Sequence, residues 1–371
     1  MDESLNTSLG ISAIATYQPP WLLGNDWFGD TIPRKFVHHT GIESRPVSLE
    51  DEVTMGIRAV KNLQRDTACD LNDCAAVVFV SPSFVPLTVA RRYLDPHRAE
   101  QERLRRAAQQ LVRRLGISDC SATGLNWFCS GYSRAVAVAC RRILPRLWLR
   151  SDQFLLVVTA SRISRITDYS CKQTAALFGD LATATLLAPV GSRRYPAHFE
   201  ILHADAQKQS ADKPYFDFHL REHVPQPQSD GSTEYEDQRL VFSLDGMGIA
   251  DIAPRAMSSA VDHAIHATGV QANDIRFVVP HQAGAGIVRF TGMKLEGCGV
   301  RGELINGLTQ HVGNTSSCSI PYALKNTWQR LTGLIACPTA AVGSPGIPEV
   351  SQGCILLRST PQHDRHRQAA A

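Results

Sequence analysis

Short, almost wholly apolar runs are the feature that most limits how this chain can fold. Residues 75–81, 154–161 and 183–188 are rich in Ala, Val or Leu, and each has the length of one strand. Runs without regular polar alternation are typical of strands buried on both faces of a sheet. Segments with helical spacing, such as residues 54–65 and 253–268, lie along the same chain. This alternation predicts a layered α/β protein whose sheets are covered by helices.

The composition excludes several other classes of protein. The chain has 371 residues, 43% of them hydrophobic, so it can bury a large core and is not a wholly disordered protein. The apolar runs are far shorter than the roughly 20 residues of a membrane helix. The N-terminus is polar and begins acidic, which does not resemble a secretory signal. A net charge of +3 gives no general reason to expect nucleic acid binding. We therefore expect a cytoplasmic protein without a membrane span or a nucleic acid partner.

Ten cysteines raise the question of whether one of them is reactive. None forms a Cys-x-x-Cys pair, so we expect free thiols, with no metal and no cofactor. Cys129 follows Asn-Trp-Phe and precedes a small, apolar segment that predicts a buried helix. A thiol at a helix start lies near the positive end of the helix dipole, which predicts a lowered pKa. The alternative for Cys129 is an inert core cysteine.

Two residues later in the chain could act with this thiol. His281 follows the apolar stretch Phe-Val-Val-Pro, at the end of a predicted strand, where α/β folds present ligands. Asn314 lies in Gly-Asn-Thr-Ser, ahead of a predicted helix. Taken alone, His281 could be a packing residue and Asn314 an ordinary turn or cap. A Cys nucleophile with His and Asn later in the chain is typical of catalysis on thioesters or peptides.

These segments, in this order, resemble β-ketoacyl-ACP synthase III, a thiolase-like condensing enzyme. The similar segments cover nearly the whole chain and include HHTGIESR, LNWFCSGYSRA, TAALFGDLATATLLAP, LDGMGIADIAPRAM, VVPHQAG and HVGNTSSCSIPYAL. The resemblance implies a five-layer αβαβα fold with two similar halves, residues 1–190 and residues 191–361. It also implies a homodimer, and residues 362–371 would form a flexible tail.

The resemblance assigns roles to the candidate residues. Cys129 would hold an acyl group, and His281 and Asn314 would donate hydrogen bonds to the thioester carbonyl of the second substrate. The backbone N–H groups of Cys129 and Gly346 would bind the acyl carbonyl oxygen. The implied reaction is a Claisen condensation with a malonyl or β-ketoacyl thioester, and acyl carrier protein or coenzyme A would deliver the substrates.

Departures from the family pattern concern the substrates. Trp127 and Phe128 replace small residues before the nucleophile and add bulk to the substrate pocket. Lys35 and His39 stand where the family has Trp and Arg. Arg289 lies near two further positions at which the family has polar residues and this chain does not. Coenzyme A is then less expected as the primer carrier. These changes would suit a specialised ketosynthase, as in dialkylresorcinol formation, with room for two acyl chains.

Two segments stand out from the rest of the chain. The Arg-rich insertion at residues 89–118 has helical propensity, and Arg105 and Arg106 in it could steer an acidic carrier protein. A solvated helix of mixed charge is the alternative. Residues 207–238 are polar and rich in Pro, Asp and Gln, which predicts a long surface connection between the two halves.

Three other functions remain possible. An acyltransferase would pass the acyl group from Cys129 to an oxygen or nitrogen nucleophile, and it could lose the His and Asn pair. A hydroxymethylglutaryl-type synthase needs an upstream glutamate base, and only Glu100 and Glu102 are near. A non-catalytic partner subunit typically loses the cysteine or its companions. The presence of Cys129, His281 and Asn314 together favours condensation.

Overall fold

The computed structural model describes residues 8–83, 96–147 and 149–370 of the chain. In the described residues the strands are β1 (Leu9–Tyr17), β2 (Leu22–Gly24), β3 (Ser44–Pro46), β4 (Cys74–Val80), β5 (Ser121–Leu125), β6 (Phe154–Ser161), β7 (Leu181–Pro189), β8 (Phe199–Ala204), β9 (Gln207–Ser210), β10 (Phe216–Pro227), β11 (Thr233–Leu244), β12 (Ile275–Val278), β13 (Glu303–Leu304), β14 (Leu334–Val342) and β15 (Glu349–Ser359). The α-helices are α1 (Phe36–Thr40), α2 (Glu52–Thr67), α3 (Pro96–Arg114), α4 (Gly131–Val138), α5 (Gly246–Thr268), α6 (Ala285–Gly297), α7 (Ser319–Thr327) and α8 (Pro361–Ala370). The apolar runs identified in the sequence form β4, β6 and β7, as predicted.

The large sheet repeats one topology in the two halves of the chain. The strand order is β5-β4-β6-β7-β1 in the first half and β13-β12-β14-β15-β8 in the second. In each half the first two neighbouring pairs are parallel and the next two are antiparallel. The halves join where β1 pairs with β8, at Gly10 with Glu200 and at Ile11 with Phe199. The chain therefore builds the same half-sheet twice.

Helices cover both faces of each half-sheet. Along β4, Val78 and Val80 pack in the core that contains α4 and α7, whereas Val77 and Phe79 pack in the core that contains α2 and α3. Side chains alternate between the faces of a strand, so β4 lies between these two helical layers. The central core also includes residues of β12, β14 and β15, while α5 packs on the other face of that half-sheet. The predicted five-layer αβαβα architecture is confirmed.

Local sequence signals explain where the longer outer helices begin and end. The Asp51 carboxylate accepts the N–H of Thr54 at the start of α2, and Asp245 accepts that of Gly248 at the start of α5. Such caps satisfy N–H groups that have no partner within the helix. Helix α5 ends at Gly269 in the left-handed conformation, with φ of 71°.

The surface connection predicted over residues 207–238 is wrong. The chain forms β9 and a long hairpin in which β10 and β11 pair antiparallel over eleven residue pairs. Most outer residues of this hairpin are exposed on both faces, so the sequence lacks the apolar alternation that indicates a half-buried strand. The base of the hairpin is buried, because Phe216 and Phe242 pack in an aromatic cluster near the centre of the molecule.

The expected flexible tail is also wrong for the described residues. Residues 361–370 form α8, and His363 in its first turn is buried, with its Nε2 2.9 Å from the carbonyl oxygen of Leu331. The Arg-rich insertion is helical as predicted, over α3, while residues 89–95 lie outside the described residues. The ten cysteines are free thiols, and half of them are buried. Within the described ranges, no helix combines the length and apolarity needed to span a membrane.

Candidate active site

Cys129 lies in a tight turn between the end of β5 and the start of α4. The turn covers Phe128–Ser130, and Phe128 adopts a left-handed conformation with φ of 43°. The side chain of Asn126 holds this turn, since its Oδ1 accepts the Phe128 N–H at 3.1 Å. Gly131 follows without space for a side chain, because a Cβ there would lie 2.6 Å from Val80. The chain therefore presents the thiol at the entrance of a central helix.

Asn314 lies in the corresponding approach to α7. Its backbone N–H donates to the carbonyl oxygen of Leu177 at 2.9 Å, and its side-chain Oδ1 accepts the Ser316 N–H at 2.9 Å. The preceding Gly313 has φ of 64°, a conformation that few other residues adopt. Because Oδ1 is already bonded, the N–H groups of the amide remain for a ligand.

His281 follows the end of β12, and its backbone N–H donates to the carbonyl oxygen of Pro338 at 2.9 Å. The residue is 2% exposed, and its Nδ1 has no hydrogen-bond partner among the described residues. Burial lowers the pKa of the His281 imidazole to about 4. The ring is therefore neutral at physiological pH and can donate one hydrogen bond without carrying charge.

These side chains meet at one cavity of about 70 Å³ in the centre of the molecule. Cys129, His281, Asn314 and Ser316 supply its polar groups, and the Cys129 Sγ lies 3.6 Å from the Ser316 Oγ. The remaining lining residues are apolar and include Ile163, Phe178, Phe216, Phe242, Leu244 and Ala253. A largely apolar cavity with a few convergent polar groups is the usual form of a ligand site.

The environment of the thiol differs from the prediction. Burial raises the pKa of the Cys129 thiol to about 11, although the Ser316 hydroxyl acts in the opposite direction. The expected lowering by the helix dipole is thus wrong, since loss of contact with water disfavours the thiolate more strongly. With this pKa the Cys129 thiol is protonated at neutral pH.

Gly346 does not have the position that was predicted for it. Its N–H donates to the carbonyl oxygen of Phe216 at 2.9 Å, so this group has no capacity to bind an acyl oxygen. Gly346 has φ of 68° and lies in a turn closed by the Ile347 N–H and the Ser344 carbonyl oxygen. The Gly-Ser-Pro-Gly segment forms a structural turn, and assigning Gly346 to the oxyanion hole is wrong.

The two bulky residues before the thiol occupy different places. Phe128 lines the cavity at Cys129 and also a larger cavity of about 800 Å³, whereas Trp127 lines only the larger one. The Arg134 guanidinium lies 4.6 Å from the centre of the Trp127 ring. Val342 is also shared by both cavities. The cavity at the thiol alone lacks the predicted room for two acyl chains, and the larger space lies on the other side of Phe128.

The predicted docking residues lie in two separate places. Lys35, just before α1, and His39 on α1 are exposed, and α1 packs against α6, the helix that carries the exposed Arg289. The packing is close, because a Cβ at Gly286 would lie 3.0 Å from the carbonyl oxygen of His39. These three basic residues therefore belong to one region of the surface.

The two arginines of the insertion are paired within their own helix. Arg105 and Arg106 on α3 both donate to the Glu102 carboxylate, at 2.8 and 2.9 Å. Arg105 also lines the larger cavity. The structure thus places a mixed-charge helix here, and it does not join these arginines to the basic residues of α1 and α6.

Sequence reasoning missed two contributions to the catalytic cavity. Ser316, whose hydroxyl lies 3.6 Å from the thiol, is hidden in a Ser and Thr run that also fits a turn. Phe216, Phe242 and Leu244 belong to the hairpin, which resembled a surface segment because its outer part is polar. The sequence signal that could have predicted this part of the cavity lining is the presence of apolar residues at both ends of the polar segment.

Comparisons with known proteins agree with this geometry. Residues 124–207, which include Cys129, match the family 3-oxoacyl-[acyl-carrier-protein] synthase III. Residues 265–333, which include His281 and Asn314, match the C-terminal part of that synthase. The β-ketoacyl-[acyl-carrier-protein] synthase III of Geobacillus kaustophilus is 27% identical over 85% of this chain and 88% of its own. That of Streptococcus equi is 28% identical over 86% and 89%.

Solved structures share the fold at lower identity. The synthase III of Aquifex aeolicus aligns with a TM-score of 0.65 and 20% identity, covering 94% of this chain and 99% of its own. A tetronic acid condensing enzyme aligns with a TM-score of 0.69 and 16% identity, over 95% and 100%. The repeated αβαβα fold is therefore shared with these proteins. In its matching segments and its fold, the chain is similar to β-ketoacyl-ACP synthase III.

Proposed function

We propose that this protein is a ketosynthase that forms a carbon–carbon bond by Claisen condensation. An acyl group held on Cys129 would react with a malonyl or β-ketoacyl thioester. The observation that carries this proposal is the meeting of Cys129, His281 and Asn314 in one largely apolar cavity. A nucleophile alone would serve any acyl transfer, whereas two neutral donors beside it suit a second step in which an enolate forms.

In the first step the Cys129 sulfur attacks the carbonyl carbon of an acyl thioester. The new carbon–sulfur bond forms as the bond to the carrier sulfur breaks. Because the thiol is protonated at neutral pH, its proton departs during this exchange and ends on the released carrier thiol. The products are acyl-Cys129 and the free carrier.

In the second step the malonyl thioester loses carbon dioxide and becomes an enolate. Its oxygen gains negative charge, and the His281 ring and the Asn314 amide donate hydrogen bonds to it. The enolate carbon then attacks the acyl carbonyl, the bond to Cys129 breaks, and the sulfur takes up a proton. A buried, neutral imidazole suits this role, because it donates without having to be reprotonated.

The apolar wall supports the same chemistry. Phe178, Phe216 and Phe242 surround the polar groups and limit the number of water molecules beside them. Hydrogen bonds to a developing charge are stronger where water is excluded. An acyl thioester in such a cavity is also protected from hydrolysis.

We assign carrier docking to the surface formed by α1 and α6. Lys35 and Arg289 supply positive charge there, His39 lies beside them, and Val37 and Phe290 are large exposed apolar residues. An acyl carrier protein is acidic, so this combination provides attraction and an apolar contact. We also propose a homodimer, because β5 lies at the end of the described sheet order and its other edge is available for pairing.

The acyltransferase alternative is less favoured, because it gives no role to the paired donors His281 and Asn314. Product analysis separates the two reactions. The protein is incubated with a panel of acyl thioesters, and the intact mass is recorded before and after malonyl thioester is added. We expect an acyl adduct that disappears as a β-keto thioester forms. An adduct that passes only to oxygen or nitrogen acceptors would overturn the condensation proposal, and product formation by Cys129→Ala at near wild-type rate would overturn the nucleophile.

A further inference from the structure

A second cluster of chemically active side chains lies away from the catalytic cavity. It consists of His203 on β8, Asp205 just after β8, and His263 on α5. We propose that this cluster binds one divalent transition metal ion, with Zn²⁺ as the best match. Two imidazoles and one carboxylate are ligands that zinc commonly takes in proteins.

The spacing of the three side chains suits coordination of a single ion. The His203 Nε2 lies 3.5 Å from Asp205 Oδ1, and the His263 Nε2 lies 3.5 Å from Asp205 Oδ2. One ligand atom from each residue can be chosen so that all three lie within 4.8 Å of one another. Ligands about 2.0–2.1 Å from a tetrahedral zinc ion are roughly 3.3–3.4 Å apart. The cluster needs only small side-chain shifts to reach that geometry.

An unpartnered nitrogen points to a missing ligand. The side chains of His203 and Asp205 are each 7% exposed, and the buried His203 Nε2 makes no hydrogen bond in the described structure. A buried polar atom without a partner is costly, and such atoms are rare in folded proteins. A metal bond from this nitrogen would remove that cost.

The surroundings also hold the carboxylate in place. Asp205 Oδ1 accepts the Cys354 N–H at 3.0 Å, and Asp205 Oδ2 accepts a hydrogen bond from Gln207 Nε2 at 3.1 Å. Groups that orient a ligand in this way raise the affinity of metal sites. The His263 side chain is 51% exposed, which provides an entry path and space for a water ligand.

The alternative is a simple ion pair between a protonated His203 and Asp205. That pair would account for the 3.5 Å approach of His203, whereas the His263 Nε2, 3.5 Å from the other carboxylate oxygen, also lies 3.4 Å from the Gln207 Nε2. It also predicts no dependence on metal. The two interpretations therefore differ in a measurable property.

A bound ion would join α5 to the sheet. His203 and Asp205 belong to the β8 segment, and Asp205 is bonded to β15, whereas His263 lies on the outer helix. Two to three turns earlier on α5, Ala256 and Ala253 line the catalytic cavity. The ion would hold this helix against the sheet, so its proposed role is structural.

The test measures zinc binding by the full-length protein. Protein treated with a chelator and dialysed is titrated with Zn²⁺ by calorimetry, and Co²⁺ is used as a spectroscopic probe. We expect one ion per chain, a Co²⁺ spectrum of nitrogen and oxygen ligation without thiolate bands, and a higher Tm with Zn²⁺. His263→Ala should lower the affinity at least tenfold.

A matched control lies on the same helix. His266 is exposed, lies near Asp262 and is not part of the cluster, so His266→Ala should bind zinc as the wild type does. His203→Gln is the second variant, and its circular dichroism reports whether the buried substitution still folds. Absence of stoichiometric binding by the wild type, or unchanged binding by His263→Ala, would overturn the proposal. Thiolate bands in the Co²⁺ spectrum would assign the ion to cysteines and overturn it equally.

Discussion

The two halves of the molecule enter their central helices in the same way but use the entrances differently. Turns at Phe128–Ser130 and Ser316–Cys318 lead directly into α4 and α7. The first residue of each turn is left-handed, with φ of 43° at Phe128 and 51° at Ser316. The same backbone turn therefore occurs once in each half, and the side chains that it carries determine the chemistry.

The middle residues of the two turns show this difference. Cys129 lines the catalytic cavity, whereas Ser317 is 1% exposed, does not line that cavity and shares a hydrogen bond of 3.2 Å with Ser161. The second half contributes through Asn314, two residues before its turn. In the proposed reaction, one entrance presents the nucleophile and the other presents a hydrogen-bond donor on the same kind of backbone turn.

The largest effect should come from removing the nucleophile while a thiol is offered at the equivalent position. In the double variant Cys129→Ala/Ser317→Cys, we expect condensation to fall by about 10⁴-fold or more, as when a covalent nucleophile is lost. The new thiol would lie in the serine network at Ser161, away from the cavity. Rates are measured by product formation, and acylation by intact mass. The single variant Ser317→Cys controls for folding, and recovery of acylation by the double variant would contradict the assigned difference between the turns.

The next effect separates the two chemical steps. Asn314→Ala should lower the condensation rate by about 10²–10³-fold, the usual cost of losing one donor to a developing oxyanion. Acylation of Cys129 should remain, because the first step does not form the enolate. His281→Ala should likewise lower the condensation rate and leave the acylation of Cys129 intact. Intact mass after a short incubation reports acylation, and product analysis reports condensation. Equal loss of both steps would contradict the division of roles between the two entrances.

The bulky residue of the first turn should control the length of the acyl group. Phe128 lines both the small cavity at the thiol and the larger one, so Phe128→Ala should connect them. We expect kcat/KM for long acyl thioesters to rise about 10–100-fold relative to short ones, since several methylenes would gain apolar contacts. Trp127→Ala is the matched control, because Trp127 lines only the larger cavity. An unchanged chain-length profile would show that Phe128 does not limit the acyl group.

The extent of prediction from sequence also differs between these regions. Both entrances were recognisable, because Cys129 and Asn314 lie in short segments followed by helical patterns, and His281 ends an apolar strand. The cavity wall was not, since Phe216 and Phe242 reach it through a hairpin whose outer residues are mostly polar and exposed. Gly346 was misassigned for a related reason. A Gly-Ser-Pro-Gly segment indicates a turn, but the sequence does not show whether a backbone N–H in that turn already donates a hydrogen bond.

The thiol pKa was the other property beyond the reach of the sequence, because it depends on packing around Cys129. The helix start favours the thiolate and burial favours the thiol, and only the structure shows that burial is larger, with a pKa of about 11. Alkylation by iodoacetamide should therefore rise about tenfold per pH unit from pH 7 to pH 9, because only the thiolate reacts. Rates are followed by the mass of the modified peptide, with the exposed Cys298 as an internal reference. A rate that levels off near pH 7 would contradict the raised pKa.

The smallest expected effect tests the polar contact between Ser316 and Cys129, which links the two turns. The Ser316 hydroxyl lies 3.6 Å from the Cys129 Sγ and favours its ionised form, so Ser316→Ala should raise the pKa of the thiol further. A hydrogen bond of ordinary strength corresponds to about a 2–10-fold lower alkylation rate at a fixed pH below that pKa. Alanine is the better replacement for Ser316 in this experiment, because the thiol of Ser316→Cys would itself react with iodoacetamide. The control is Ser317→Ala, the adjacent hydroxyl that does not line the cavity, which should leave the rate unchanged. Equal rates for Ser316→Ala and the wild type would show that the second turn shapes the cavity without influencing the nucleophile of the first.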